Sequence, residues 1–275
     1  MDIKCIALDL DRTTLDADGL LSPGNRAALE YAISKGVHIV IASGRGFASL
    51  PKDVTSIQGI EYAITSNGAA VYHLPTASRL RAYPLTPASA CDILLLTEGE
   101  PAVLEAFVDG LAFADTAYVK DPAGHGASKE AVPYIQSTRH PVSDIRSYIK
   151  EHIHELECLD LIVRNEADKT RLWNMLESNV QDIYITSSVP HLIEISHKDS
   201  GKHAGICYIA DLLGLSPAQI AAFGDGDNDT EMLDFVGCGI AVENASPSCQ
   251  AAANAVTKSH DQDGVAWAIY HILQI

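Results

Sequence analysis

Positive charge is scarce in this chain. Nineteen Lys and Arg stand against 36 Asp and Glu, a formal net charge of −17. That argues against a nucleic-acid partner, whose phosphates need Lys and Arg to displace their counterions. It also argues against an anionic membrane surface, which attracts polybasic segments. An acidic chain that handles an anion needs local positive charge, from a metal or from a few placed basic side chains, and most of its acids serve solubility. Cysteine pairing is missing too. Cys5, Cys91, Cys158, Cys207, Cys238 and Cys249 form no C-x-x-C pair, so they read as reduced, small core residues of a cytoplasmic protein. The eleven histidines show no zinc-type spacing, and His152-x-His154 on a polar helix reads as solvated. No apolar run approaches the roughly 20 residues of a membrane span, and no basic-then-apolar leader precedes the first strand. There is no internal repeat and no low-complexity stretch.

What is present is a well-filled core. Hydrophobic residues make up 47% of 275, enough for one large or two modest domains. The first eighty residues alternate short apolar runs with helical patterns. Ile3 to Leu8 reads as a buried strand. Ser22-Pro23 opens a helix that stops at Lys35-Gly36, and Val37 to Ala42 is a second strand. This alternation predicts an α/β fold with a doubly wound, mostly parallel, Rossmann-like sheet. Near residue 80 the pattern changes. Arg79 to Leu85 reads as a strand, Asp109-Gly110 as a tight hairpin turn, and a helix is expected from about Val142 to His154. These elements predict an inserted α+β domain over residues 83–189, with residues 1–82 and 190–275 forming the core domain.

Acidic residues mark the strand ends. The first strand runs into Asp9-Leu10-Asp11-Arg12-Thr13, and a later apolar run ends at Gly224-Asp225-Gly226-Asp227-Asn228-Asp229. In an open α/β sheet ligands bind at the carboxyl ends of the strands. If the strand stops at Asp9, the chain can turn and bring Asp9 and Asp11 toward one centre, where carboxylates and a backbone carbonyl suit magnesium. An EF-hand does not fit either segment: Thr230 and Thr14 stand where its glycine belongs, and Val236 and Leu20 where its bidentate Glu belongs. A third strand end carries Ser43-Gly44-Arg45, a hydroxyl, an accessible backbone and a cation. Lys202 follows Ser200-Gly201 at a helix start. Taken alone, Lys202 reads as an ordinary surface lysine, and Asp-x-Asp as a pair of turn acids.

Together these segments resemble the haloacid dehalogenase superfamily of phosphohydrolases, more narrowly its Cof-type members with a C2-type cap. Leu8-Asp9-Leu10-Asp11-Arg12-Thr13, Ala42-Ser43-Gly44-Arg45, Gly201-Lys202-His203-Ala204-Gly205-Ile206 and Phe223-Gly224-Asp225-Gly226-Asp227-Asn228-Asp229 are similar to its four motifs, in the family's order. Ser66-Asn67-Gly68-Ala69, Glu243-Asn244-Ala245 and Asp263-Gly264-Val265-Ala266 add to the resemblance.

The resemblance implies a magnesium-dependent phosphatase of small phosphorylated metabolites, sugar phosphates above all, acting through an aspartyl-phosphate. It makes Asp9 the nucleophile and Asp11 the general acid and base. It gives magnesium to a carboxylate oxygen of Asp9, the backbone carbonyl of Asp11 and Asp225. Ser43, Lys202, Asn228 and the amides of Leu10 and Gly44 are expected to hold the phosphoryl oxygens, and Asp229 to orient Lys202 or its loop. The cap is expected to close over the site and choose the substrate, with the loop Asp121 to Lys129 as a candidate contact. Arg12 and Arg45 stand as candidate substrate contacts. Arg12 occupies a position that is usually Gly in the family, and two readings stay open: an incidental solvated side chain, or a guanidinium that binds a second anionic group. A phosphomutase with the same motifs and a non-catalytic phosphate-binding regulator are the alternative functions. Beyond its substrate the chain is expected to act as a monomer or small homo-oligomer.

Overall fold

A computed structural model describes residues 2–275 of the chain. The chain divides into two compact units, the first of residues 1–45, 50–81 and 201–275, the second of residues 46–49 and 82–200. The first is an α/β unit built on an eight-stranded sheet. Its order is Ala255–Val256, Cys238–Ala241, Ile220–Gly224, Cys5–Leu8, His38–Ala42, Ile60–Thr65, Ala70–His73 and Ser78–Ala82.

Cys5–Leu8 is buried along its whole length and pairs in parallel with Ile220–Gly224 on one side and His38–Ala42 on the other. A strand covered on both faces must be apolar at every position, which is why its sequence does not alternate. The chain leaves this strand toward His38–Ala42 and returns much later to its other side. The central strand is therefore a switch point, and the crevice beyond its carboxyl end is the expected ligand position. Asp9, Ser43 and Asp225 directly follow these three neighbouring strands. Helix Pro23–Ser34 starts as its sequence predicts: Ser22 Oγ accepts from the amide of Asn25 at 3.0 Å. Helix Lys202–Leu213 lies between Gly201 and Gly214 and packs Ile206, Ile209 and Ala210 into the sheet core.

The second unit holds a six-stranded sheet in the order Ile183–Thr186, Leu192–His197, Leu156–Val163, Ala102–Val108, Leu111–Asp115 and Arg139–Val142. All pairings are antiparallel except that of the last two strands. Leu104, Ala106, Leu159, Leu161, Ile193 and Ile195 share a core with Ile93, Ile149, Leu172 and Leu176 from helices Pro87–Leu96, Ile145–Glu151 and Glu166–Asn179.

Two sequence expectations need correction here. The return to the first unit comes at residue 201, not 190, because Leu192–His197 pairs antiparallel with Leu156–Val163, as in Ile195 opposite Leu159. The helix expected from Val142 begins at Ile145, where the Asp144 carboxylate accepts from the Arg146 amide at 3.0 Å. Residues Arg139–Val142 before it form an edge strand that includes Pro141, a tolerated place for a residue with no N–H to give.

In the first unit, two loops meet at backbone distance. Gly68 has φ of 88°, and a β-carbon there would lie 2.1 Å from the carbonyl oxygen of Gly201. The amide of Gly201 donates to Asn67 O at 2.8 Å, which fixes the approach. Gly68→Ala is expected to cost roughly 2 kcal/mol or more in denaturant unfolding, since both the conformation and the contact are lost. An unchanged midpoint and slope would contradict this close approach.

Candidate active site

The first strand ends as it must for Asp9 to leave the sheet. Asp9 closes the ladder by donating its amide to Phe223 O at 3.1 Å, and the chain then turns tightly over Leu10–Thr14. Thr14 Oγ1 donates to Asp9 O at 2.5 Å and holds the turn. The Asp9 side chain is buried, with only 5% of the residue exposed. Its Oδ1 accepts from Lys202 Nζ at 2.7 Å. The same ammonium donates to Asp229 Oδ1 at 2.7 Å. Lys202 is 1% exposed, so it is no surface lysine.

Asp229 is fully engaged. Its Oδ2 accepts from the amides of Asp225 and Gly226, each at 3.0 Å. It thereby fixes the loop that presents Asp225, and Gly224 leaves it room: a β-carbon there would sit 2.4 Å from the β-carbon of Asp229. Asp225 is buried, with Thr13 Oγ1 at 3.4 Å from its Oδ1 and Arg12 Nε at 3.6 Å from its Oδ2. One carboxylate oxygen from each of Asp9, Asp225 and Asp229 lies within 4.8 Å of the others.

The other sequence-predicted residues have partners of their own. Asp11 does not join the carboxylate cluster through its side chain. It receives Arg45 in a two-point pair, Nε to Oδ2 at 2.8 Å and Nη2 to Oδ1 at 2.6 Å. Ser43 is buried, its carbonyl accepting from the amide of Asn67 at 3.2 Å and its hydroxyl from the amide of Arg45 at 3.2 Å. Gly44 lies between them, half-buried, and Leu10 is buried in the turn after Asp9. Asn228 is buried and donates to Asn67 Oδ1 at 3.0 Å. Arg12 has about half of its side chain exposed, with Nε 3.6 Å from Asp225 Oδ2. In the second unit, the loop from Asp121 is tied to itself: Gly124 N donates to Asp121 Oδ1 at 3.1 Å and His125 Nδ1 lies 2.8 Å from Asp121 O.

Sequence reasoning gave no role to Thr13, Asn67 or Asn244. Asn67 joins the loops of Ser43, Gly201 and Asn228 from a left-handed backbone of φ 52°, and Asn244 donates to Arg12 O at 2.9 Å. The signal for each was its motif, which shows that a residue recurs in a family and not what it touches.

The electrostatics follow from burial. Asp9, Asp225 and Asp229 bring three buried carboxyls, while Lys202 is the buried cation among them. Burial pushes the Asp9 carboxyl well above its usual range, Lys202 opposes that shift, and Asp229 and Asp225 add to it. Asp225 is pushed up to about 7 by burial and by Asp229, against Arg12 and Lys202. Burial disfavours the Lys202 ammonium, but Asp229 and Asp9 overcome it and hold its pKa above the usual lysine value. The cluster thus lacks positive charge, and its free donors are hard oxygens: Asp9 Oδ2 takes no protein hydrogen bond among the described residues, and Asp225 Oδ2 faces only Arg12. Such a set fits a magnesium ion, which takes one or two carboxylates and keeps waters.

A carboxyl raised from 3.8 to about 7 on folding holds its proton in the native state after the unfolded chain has lost it. Between those values the native state binds more protons, so stability falls as pH rises. In chelator, Asp225→Asn removes this loss. Its melting-temperature advantage over wild type is expected to grow from about pH 5 to about pH 8. An advantage that stays constant across that range would contradict the electrostatic account.

Comparison with known proteins places this arrangement. The profile of the family described as haloacid dehalogenase-like hydrolases matches residues 6–269. The 5-amino-6-(5-phospho-D-ribitylamino)uracil phosphatase YwtE of Bacillus subtilis (strain 168) is 29% identical over 293 residues, covering 98% of this chain and 98% of that protein. Phosphatase YwpJ of the same organism is 28% identical over 309 residues, covering 98% of this chain and 100% of that protein. A solved haloacid dehalogenase-like hydrolase from B. subtilis superposes with a TM-score of 0.83 at 25% identity, over 98% of this chain and 100% of the other. No helix among the described residues is long and apolar enough to cross a membrane. With a family profile matched almost from end to end, on an α/β fold whose strand ends carry the motif residues, the chain belongs to the haloacid dehalogenase-like hydrolases.

Proposed function

We propose that this hydrolase is a magnesium-dependent phosphatase of small phosphorylated metabolites of the sugar-phosphate class, acting through an aspartyl-phosphate on Asp9. The observation that carries the reading is the buried Lys202 ammonium, 2.7 Å from one oxygen of Asp9 and 2.7 Å from Asp229. A pair of buried carboxylates around one lysine costs much desolvation for a merely structural role. It does suit a site whose buried carboxylate needs an adjacent cation to favour its ionised form before it accepts a phosphoryl group.

In this reading a carboxylate oxygen of Asp9 attacks phosphorus, and the bond from phosphorus to the leaving oxygen breaks. Asp11 supplies the proton that the leaving alkoxide needs, then removes one from the water that attacks the aspartyl-phosphate. Arg45 takes both Asp11 oxygens in its two-point pair, so one oxygen leaves that pair when Asp11 carries the proton. Lys202 offsets charge on the phosphoryl oxygens, with Ser43, Asn228 and the amides of Leu10 and Gly44 as their hydrogen-bond donors. Asp9, the Asp11 carbonyl and Asp225 would hold magnesium, which lowers the repulsion between a carboxylate nucleophile and an anionic phosphoester. Asp229 keeps Lys202 and the Asp225 loop in position. The second unit is assigned the choice of leaving group, as the cap of the family. YwtE and YwpJ bear phosphatase names, which supports phosphoester hydrolysis here.

The test is release of inorganic phosphate from a panel of hexose, pentose and polyol phosphates, with 5-amino-6-(5-phospho-D-ribitylamino)uracil included. Asp9→Asn is expected to lose turnover by roughly a thousandfold or more while keeping a cooperative melting transition. Appreciable residual turnover would rule Asp9 out as the nucleophile. Chelation is expected to stop phosphate release, and added magnesium to restore it. Full turnover in chelator would remove the metal from the reading.

A further inference from the structure

Arg12 stands on a backbone that does not favour an arginine. Its φ and ψ are 58° and 13°, in the left-handed region that Gly, Asn and Asp adopt most easily. The backbone is nevertheless held, because Asn244 Nδ2 donates to Arg12 O at 2.9 Å, and Asn244 Oδ1 in turn accepts from the His260 amide at 3.1 Å. The root of the side chain is fixed, while the side chain as a whole is 49% exposed. The head is engaged loosely. Its Nε lies 3.6 Å from Asp225 Oδ2, an ion-pair distance rather than a hydrogen bond.

That carboxylate oxygen is one of two that the cluster leaves without a hydrogen bond among the described residues, the other being Asp9 Oδ2. Asp225 Oδ1 has the Thr13 hydroxyl beside it. Asp9 Oδ1 is taken by Lys202, and both oxygens of Asp229 are taken, by Lys202 and by two amides. A cation that approaches Asp225 through Oδ2 therefore meets the Arg12 guanidinium. Arginine stays charged throughout the ordinary pH range, so the encounter is between two cations for one anion. A glycine at this position would offer no such competition.

We propose that Arg12 is a built-in counter-cation of Asp225 that a divalent ion must displace, so that it sets a weaker magnesium affinity than the carboxylates alone would give. The proposal rests on the magnesium reading above. The guanidinium neutralises part of the buried negative charge while the metal is absent and swings toward solvent when it binds. This differs from a role in holding a second anionic group of the substrate, which would leave metal binding without substrate unchanged.

Equilibrium dialysis of magnesium against the chelator-stripped full chain tests it, with no substrate present. Wild type, Arg12→Gly, Arg12→Gln and Arg12→Lys are compared. Gly suits the left-handed backbone, Gln keeps the stem without the charge, and Lys restores the charge. Arg12→Gly and Arg12→Gln are expected to bind magnesium about two- to fivefold more tightly than wild type, the range for a partly exposed charge pair. Arg12→Lys is expected to return toward wild type. Equal or weaker affinity in both Arg12→Gly and Arg12→Gln overturns the proposal and leaves the magnesium reading standing. Absence of magnesium binding in every protein overturns both.

Discussion

One ammonium group organises the first unit of this protein. Lys202 Nζ joins Asp9, 193 residues away in sequence, to Asp229, 27 residues away. Those contacts tie the end of the central strand, the first turn of the helix that follows the second unit, and the turn after Ile220–Gly224. Burying a lysine is costly, and only close carboxylates with further hydrogen bonds can offset that cost. Asp229 meets the condition through its two backbone amides. Removing one partner of such a pair typically costs about 3–5 kcal/mol, because the other charge stays buried alone. The interaction is therefore a constraint on the fold as well as on the chemistry.

The surrounding backbone is shaped to let that happen. Gly224 admits Asp229, Gly68 admits Gly201, and Asn67 bridges the loops of Ser43 and Asn228. Parallel strands deliver Asp9, Ser43 and Asp225 to one edge of the sheet without any help from the side chains themselves. What remains after this assembly is an excess of negative charge, partly answered by Arg12. Within a strongly acidic chain the cluster is thus met by few cations: Lys202 and Arg45 in close carboxylate pairs, and Arg12 at a looser distance.

Much of this was legible in the sequence because it depends on local chemistry. A fully apolar run followed by Asp9 signals a buried parallel strand with an acid at its carboxyl end, and the Ser22-Pro23 helix start was equally direct. Pairing between distant segments was not legible. Nothing in the run Leu192–His197 says which of two sheets it joins, and the antiparallel register to Leu156–Val163 decides it. Taken alone, Lys202 was indistinguishable from a surface lysine, since its burial is conferred by Asp9 and Asp229 from other parts of the chain. Arg45 was visible as a cation at a strand end, but its pair with Asp11, 34 residues earlier in sequence, was not. Arg12 drew attention only as a departure from a family pattern, and its meaning needed the position of Asp225.

The central claim is that the Asp9 carboxylate held by Lys202 receives the phosphoryl group. Acid quenching of a single turnover with a radiolabelled phosphoester, followed by peptide mass spectrometry, tests it most directly. The account predicts a phosphorylated enzyme with the label on Asp9, absent from Asp9→Asn. Label on any other residue, or on Asp9→Asn as on wild type, would contradict it.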